Sequence, residues 1–177
     1  RVVTDISPYD TMNVEHKDAV GYMRIGRSAA RCMVSVMGAC GAPMPQKILD
    51  FGCGWGRVTR WLRAIYPDAE VQGCDIDQAG LAFVEANFGA KTFISDVDID
   101  NVALDDGYGL VFVGSVVTHL DERNADCLMS RLFQSVGRNG VLVVTSHGRR
   151  VAKMTRDGVY RGKGPEQSYA EALLGYE

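Results

Sequence analysis

The residues best suited to chemistry sit in one stretch, Lys47 to Trp61, KILDFGCGWGRVTRW. An acid, Asp50, follows the short apolar run Ile48–Leu49. Gly52, Gly54 and Gly56 then alternate with Cys53 and Trp55, and a helical pattern opens at Arg57. Glycine lets a backbone turn sharply and lie against a ligand with no Cβ in the way. A helix starting there adds unpaired N–H groups. Strand, turn and helix together make a cradle for a ligand with polar groups. A dinucleotide fingerprint would need a small residue at position 57, where Arg57 stands. Two further acids, Asp75 in VQGCDID and Asp96 in FISDVD, can accept hydrogen bonds. Two histidines, His119 in SVVTHL and His147 in VVTSHG, can take a proton near neutral pH.

These residues need elements to hold them. Arg1 to Asn13 contains Pro8, lacks periodicity and reads as an arm. Val14 to Gly38 reads as a helix with Val20, Met23, Ala30, Val34 and Met37 on its buried face. Strands are expected at Lys47–Asp50, Val71–Cys74, Lys91–Ser95, Leu110–Val113 and Val141–Thr145. Helices are expected at Arg57–Tyr66, which stops before Pro67, and at Gln78–Phe88, capped by Asp77 and stopped by Gly89. A further helix, Asp121–Val136, should turn Cys127, Leu128, Leu132 and Phe133 inward, and GRNG at 137–140 reads as a turn. Arg57, Arg60 and Arg63 recur at helical spacing and read as a surface face.

Alternating strands and helices predict an α/β, Rossmann-like, doubly wound and mostly parallel sheet with helices on both faces. Ligands of such sheets sit at the carboxyl ends of the strands, beside the switch in strand order. Both His147 and the glycine loop fall at such ends. After Gly148 the pattern thins, and only Tyr169–Leu174 reads as another short helix. The basic run Arg149, Arg150, Lys153, Arg156, Arg161 and Lys163 is offset only by Asp157. It is either a solvated loop or a recognition surface for a phosphorylated or acidic acceptor.

A chain of 177 residues is one domain with room for a core. A net charge of −3 leaves no electrostatic footprint for nucleic acid. Five cysteines, odd in number and without C-x-x-C, argue against zinc or a disulfide framework. They point to a reducing, cytoplasmic setting. No metal site is expected. No apolar run reaches transmembrane length and no signal peptide is visible, so no membrane partner is expected. The chain opens on Arg1 rather than Met, which implies a longer natural N-terminus.

The order D-x-G-x-G-x-G, from Asp50 to Gly56, resembles motif I of the class I methyltransferases that use S-adenosylmethionine (SAM), especially small-molecule enzymes of the type 11 and 12 groups. The resemblance covers about Val14 to Gly148. It implies a SAM-binding domain over 14–148, an arm over 1–13 and a truncated basic segment over 149–177. It implies that the backbone of Gly52, Cys53, Gly54 and Gly56 meets the methionine half of SAM, and that Asp50 orients the amino group, often through water. Asp75 would accept from the ribose hydroxyls, with Ile76 against the adenine face. Asp96 would take the adenine amine and Val97 N–H a ring nitrogen. Gly114 and Ser115, in LVFVGSVVTHLDE, are similar to the fourth motif, whose backbone lines the transferable methyl. Arg27, in GYMRIGRSAA with Tyr22 and Arg24, would hold the SAM carboxylate or belong to a solvated basic face. His147 and His119 are the candidate bases, each with a structural alternative. The family's sheet normally ends in an antiparallel hairpin that is not legible here, so an incomplete sheet edge is expected.

The implied function is transfer of a methyl group to a small-molecule acceptor, at oxygen before nitrogen or carbon. A non-catalytic SAM-binding module and a methyltransferase of macromolecules stay open as alternatives. The N/D-P-P-Y/F motif of base amino-group methylation is absent from the sequence.

Overall fold

The computed structural model describes residues 1–14 and 18–157. A short helix, α1 (Thr11–Val14), precedes a long one, α2 (Ala19–Ala39). Then follow β1 (Lys47–Phe51), α3 (Thr59–Ile65), β2 (Glu70–Asp75), α4 (Gln78–Phe88) and β3 (Lys91–Ile94). The rest is β4 (Tyr108–Gly114), α5 (Glu122–Ser135), β5 (Val136–Thr145) and α6 (Arg149–Arg156), with 3-10 turns at Ile99–Asn101 and Val117–His119. The expected helix at Tyr169–Leu174 and the basic residues Arg161 and Lys163 lie outside the described residues.

The five strands pair in the order β3-β2-β1-β4-β5, all parallel. The chain runs outward from β1 to β3, then returns to the far side of β1. The switch therefore lies between β1 and β4, where a crevice opens at the carboxyl ends. Strand β5 is an outer strand among the described residues, in keeping with the expected incomplete edge. Leu49, Val111 and Val113 pack with Leu128 and Leu132 of α5 on one face. Ile48, Val71 and Leu110 pack with α2, α3 and α4 on the other. Continuous apolar runs suit strands that are covered on both sides.

Several expectations need correction. Helix α2 begins at Ala19 rather than Val14, because the Asp18 carboxylate accepts from Gly21 N–H and caps it there. Its buried stripe is Tyr22, Gly26, Ala30, Met33 and Met37, while Val20 and Val34 face solvent. Gly26 shows why. A Cβ there would stand 2.1 Å from the Arg57 carbonyl oxygen and 3.0 Å from the Trp61 ring, so α2 approaches the start of α3 along its glycine rather than its valines. Helix α3 starts two residues later than expected, after the glycine loop has finished turning. Phe133 is 73% exposed, beside the outer edge of β5, so it is not a core residue. The GRNG segment is no separate turn: α5 runs straight into β5, and the extra residues form an irregularity between the pairs Tyr108↔Val136 and Leu110↔Val141. Asn139 absorbs it at φ 64°. Arg60 is 1% exposed and belongs to no surface face.

Candidate active site

The cradle is built from left-handed backbone, which glycine adopts without the steric cost a Cβ brings. Gly52, Gly54 and Gly56 all have positive φ, at 75°, 51° and 77°. Their free faces differ. A Cβ on Gly52 would meet Val116 at 2.2 Å, and one on Gly56 would meet the Phe88 ring at 2.4 Å. A Cβ on Gly54 would meet nothing within 4 Å. Two of the glycines are demanded by packing. The third opens onto empty space at the carboxyl edge of the sheet.

Asp75, at the end of β2, faces the same opening. Its carboxylate accepts from Gly54 N–H at 2.7 Å and from Asp77 N–H at 2.9 Å. Asp77 instead caps α4 through Ala79 and Gly80 N–H. The cap expected of Asp77 is the one observed. Strand β3 runs beside β2, and Ser95 N–H donates to the Asp75 carbonyl at 2.8 Å. Asp96 follows, exposed, accepting from Asp98 N–H at 2.9 Å. Ile76 is 65% exposed and Val97 82%.

Below the loop the environment is dry. Asp50 is 2% exposed and accepts from the Thr59 hydroxyl at 2.6 Å. Burial pushes its pKa up to about 6, against the lowering effect of the Thr59 hydrogen bond. The Cys53 side chain points down onto Gly73, so only its backbone faces the opening, and burial drives its thiol pKa well up.

Across the crevice, Ser115 leaves β4 at φ 65°, a conformation that costs a non-glycine residue energy. It is held by its neighbours. Ser115 N–H donates to Thr145 Oγ1 at 2.8 Å, and the Thr118 hydroxyl donates to the Ser115 carbonyl at 2.6 Å. Thr145 was not singled out by sequence, yet it joins the ends of β4 and β5. His147 lies two residues past β5 and is half-buried. His119 ends the 3-10 turn, and it is exposed. Arg27 is exposed on α2, away from that helix's buried stripe.

Arg60, expected on a surface face, is instead buried beneath the loop. Its Nε donates to the Gly56 carbonyl at 3.0 Å, and its Nη1 donates to the Asp5 carbonyl at 2.8 Å and the Val3 carbonyl at 3.4 Å. The guanidinium carbon lies 4.7 Å from the Phe88 ring centroid and 5.4 Å from that of Tyr22. Burial lowers its pKa from the ordinary value.

A parallel sheet in the order 3-2-1-4-5, a bare loop at its switch point and acids ending β2 and β3 define a class I, SAM-dependent methyltransferase domain. The profile of the methyltransferase-domain family matches residues 48–140, and the chain belongs to that family. It is 24% identical over 131 residues to the malonyl-acyl-carrier-protein O-methyltransferase of Bacillus cereus, covering 73% of this chain and 48% of that protein. It is 27% identical over 130 residues to the trans-aconitate 2-methyltransferase of Pseudomonas paraeruginosa, covering 73% and 46%. The chain thus spans about half the length of these curated relatives. In fold it is similar to the plantazolicin methyltransferase BpumL in complex with S-adenosylhomocysteine (SAH). There the TM-score is 0.66 at 17% identity, over 96% of this chain and 70% of that one. A TehB-like SAM-dependent methyltransferase from Corynebacterium glutamicum gives 0.54 at 23%, over 91% and 84%.

Proposed function

We propose that this domain holds SAM in the glycine cradle and passes its methyl group to an oxygen of a small-molecule acceptor. One observation carries the binding half: the open space over Gly54, whose N–H donates to the Asp75 carboxylate, with exposed Ile76 next in the chain to Asp75 and exposed Val97 next to Asp96. That set fits a ligand with vicinal hydroxyls and a flat base. Bound there, SAM supplies a methyl group already activated by a sulfonium.

The chain's part is to bind, align and exclude water. The loop N–H groups and Arg27 serve the amino-acid end. Asp50 complements the cationic amino group from below. Asp75 accepts from the ribose, and Asp96 with the Val97 N–H reads the adenine edge. The backbone of Gly114 and Ser115, pinned by Thr145, lines the path to the acceptor. Oxygen is favoured because one relative is named an O-methyltransferase. Malonyl and trans-aconitate groups both carry carboxylates. A carboxylate oxygen is ready to attack at neutral pH, whereas a hydroxyl must lose its proton. For a hydroxyl, His147 accepts that proton, with His119 the second candidate. His147→Ala should then cost roughly 100- to 10,000-fold in kcat for a hydroxyl acceptor and leave a carboxylate acceptor little changed. Initial rates on matched acceptor pairs check this, and equal losses on both would remove the base role.

Calorimetry with SAH tests the binding half directly. Saturable binding is expected, and Asp75→Ala should weaken it by at least about tenfold, the loss of hydrogen bonds to a charged group. No heat at millimolar SAH from folded protein would overturn the proposal.

A further inference from the structure

Arg60 is the largest fully buried side chain of the described residues, and it touches nothing in the open crevice. Its fork joins two parts of the chain that are over fifty residues apart. On one side is the Gly56 carbonyl, the last turn of the cradle; on the other are the carbonyls of Val3 and Asp5 in the N-terminal arm. The rings of Tyr22 and Phe88 flank it. Tyr22 is tied back to the same arm: its hydroxyl donates to the Asp10 carboxylate at 2.5 Å, and Asp10 is 2% exposed. Beyond Arg60 the arm touches the cradle once more. The Tyr9 ring lies 6.3 Å from the Trp55 ring, and Trp55 sits between Gly54 and Gly56 and leans on Phe83 at 5.7 Å. The arm is therefore folded onto the outside of the loop.

We propose that Arg60 is a positioning residue that makes the shape of the cradle depend on the docked N-terminal arm, so that cofactor binding and arm docking reinforce each other. The proposal rests on the reading of the cradle as the SAM site. A planar, permanently charged fork reaches several carbonyls at once, which a point-charge ammonium does not. Nε holds the Gly56 carbonyl while Nη1 holds those of Val3 and Asp5, so the loop keeps its positive-φ conformation only while the arm is present to share the guanidinium. Coupling of this kind is reciprocal: whatever the arm adds to cofactor affinity, the cofactor adds to arm docking.

Hydrogen exchange and SAH titration on the same full chain test it. SAH should slow exchange at Asp10 and Met12, whose N–H groups bond to the Ser7 carbonyl and the Asp10 carboxylate. Arg60→Lys should abolish that slowing and weaken SAH binding about tenfold, within the roughly 5- to 150-fold range of coupled sites. Tyr9→Ala removes an exposed ring and leaves the core intact. It should weaken SAH severalfold at an unchanged melting temperature, so the test survives if Arg60→Lys does not fold. Fluorescence of Trp55, read in a Trp61→Phe background, should shift in Tyr9→Ala without any ligand. Wild-type protein that binds SAH with no change in arm exchange would overturn the proposal. So would wild-type SAH affinity in Tyr9→Ala together with folded Arg60→Lys. No SAH binding by the wild type is a different result: it removes the cofactor reading itself, and the coupling with it.

Discussion

Gly54→Val is expected to lose SAH affinity by more than about a hundredfold while the domain stays folded. The three loop glycines let this be separated from general damage. At Gly54 an added Cβ meets no protein atom within 4 Å, so on the proposed reading the side chain enters the space that the ligand takes. Its φ of 51° lies in the left-handed region, and a β-branched residue there costs on the order of 1–3 kcal/mol. For a chain of this size that is a fall of several degrees in melting temperature, not unfolding. Gly56→Val is the contrast. Its Cβ would stand 2.4 Å from Phe88, at a φ of 77°, so the core and α4 must move. It should melt far lower and lose affinity only as a consequence. Calorimetry and thermal melts on both variants decide the matter. A folded Gly54→Val that binds SAH within threefold of wild type would place the ligand elsewhere.

The glycine contrast also shows what was legible in the sequence. The loop, Asp75 and Asp77 were readable because their roles are local: a positive φ, a strand end and a helix cap are decided within a few residues. Burial was harder. Arg60 stands three residues from Arg57 and three from Arg63, a spacing that reads as one solvated face. It is buried because the arm, the loop and Phe88 converge on it, and that convergence is tertiary. Arg63 shares the misreading in part, since it donates to the Ala69 carbonyl at 2.8 Å and the Phe88 carbonyl at 3.3 Å. The α2 stripe failed for a related reason. Counting apolar residues favours Val20 and Val34, but close approach to the Arg57 carbonyl selects the helix face that carries Gly26. Phe133 follows Leu132 by one position, so the edge position of β5 decides whether it is covered. Thr145 carries no motif of its own. Its role exists only because β4 and β5 lie side by side.

Asp50→Asn should make the protein more stable and a poorer binder at neutral pH. The carboxyl is 2% exposed, and burial lifts its pKa from 3.8 to about 6. A rise of that size is worth roughly 3 kcal/mol. The sign follows from linkage. The folded pKa lies above the unfolded one, so the stability advantage of the protonated form is complete below pH about 3.8 and lost as pH rises through about 6. At pH 7 the native state carries a buried charge that the unfolded state exposes to water. Asparagine keeps an oxygen for the Thr59 hydroxyl and removes the charge. Its amide N–H gives back about 1 kcal/mol or more if it finds no acceptor. A net gain of about 1–2 kcal/mol is left, or a few degrees in melting temperature. The gain should shrink as pH falls from 6 toward 4, because the wild type is then neutral too. Retaining such a costly carboxylate is explained if its charge faces the cationic amino group of the cofactor. Two charges about 5 Å apart at a protein-like dielectric attract by roughly 3 kcal/mol. Wild-type SAH affinity should therefore drop as pH falls through about 6, and Asp50→Asn should bind weakly with no such step. Thr59→Val, which removes the hydrogen bond that holds the pKa down, should move the step to higher pH. If Asp50→Asn is less stable than wild type at pH 7 and binds SAH equally well at every pH, then Asp50 serves the fold through Thr59 and plays no part in the site.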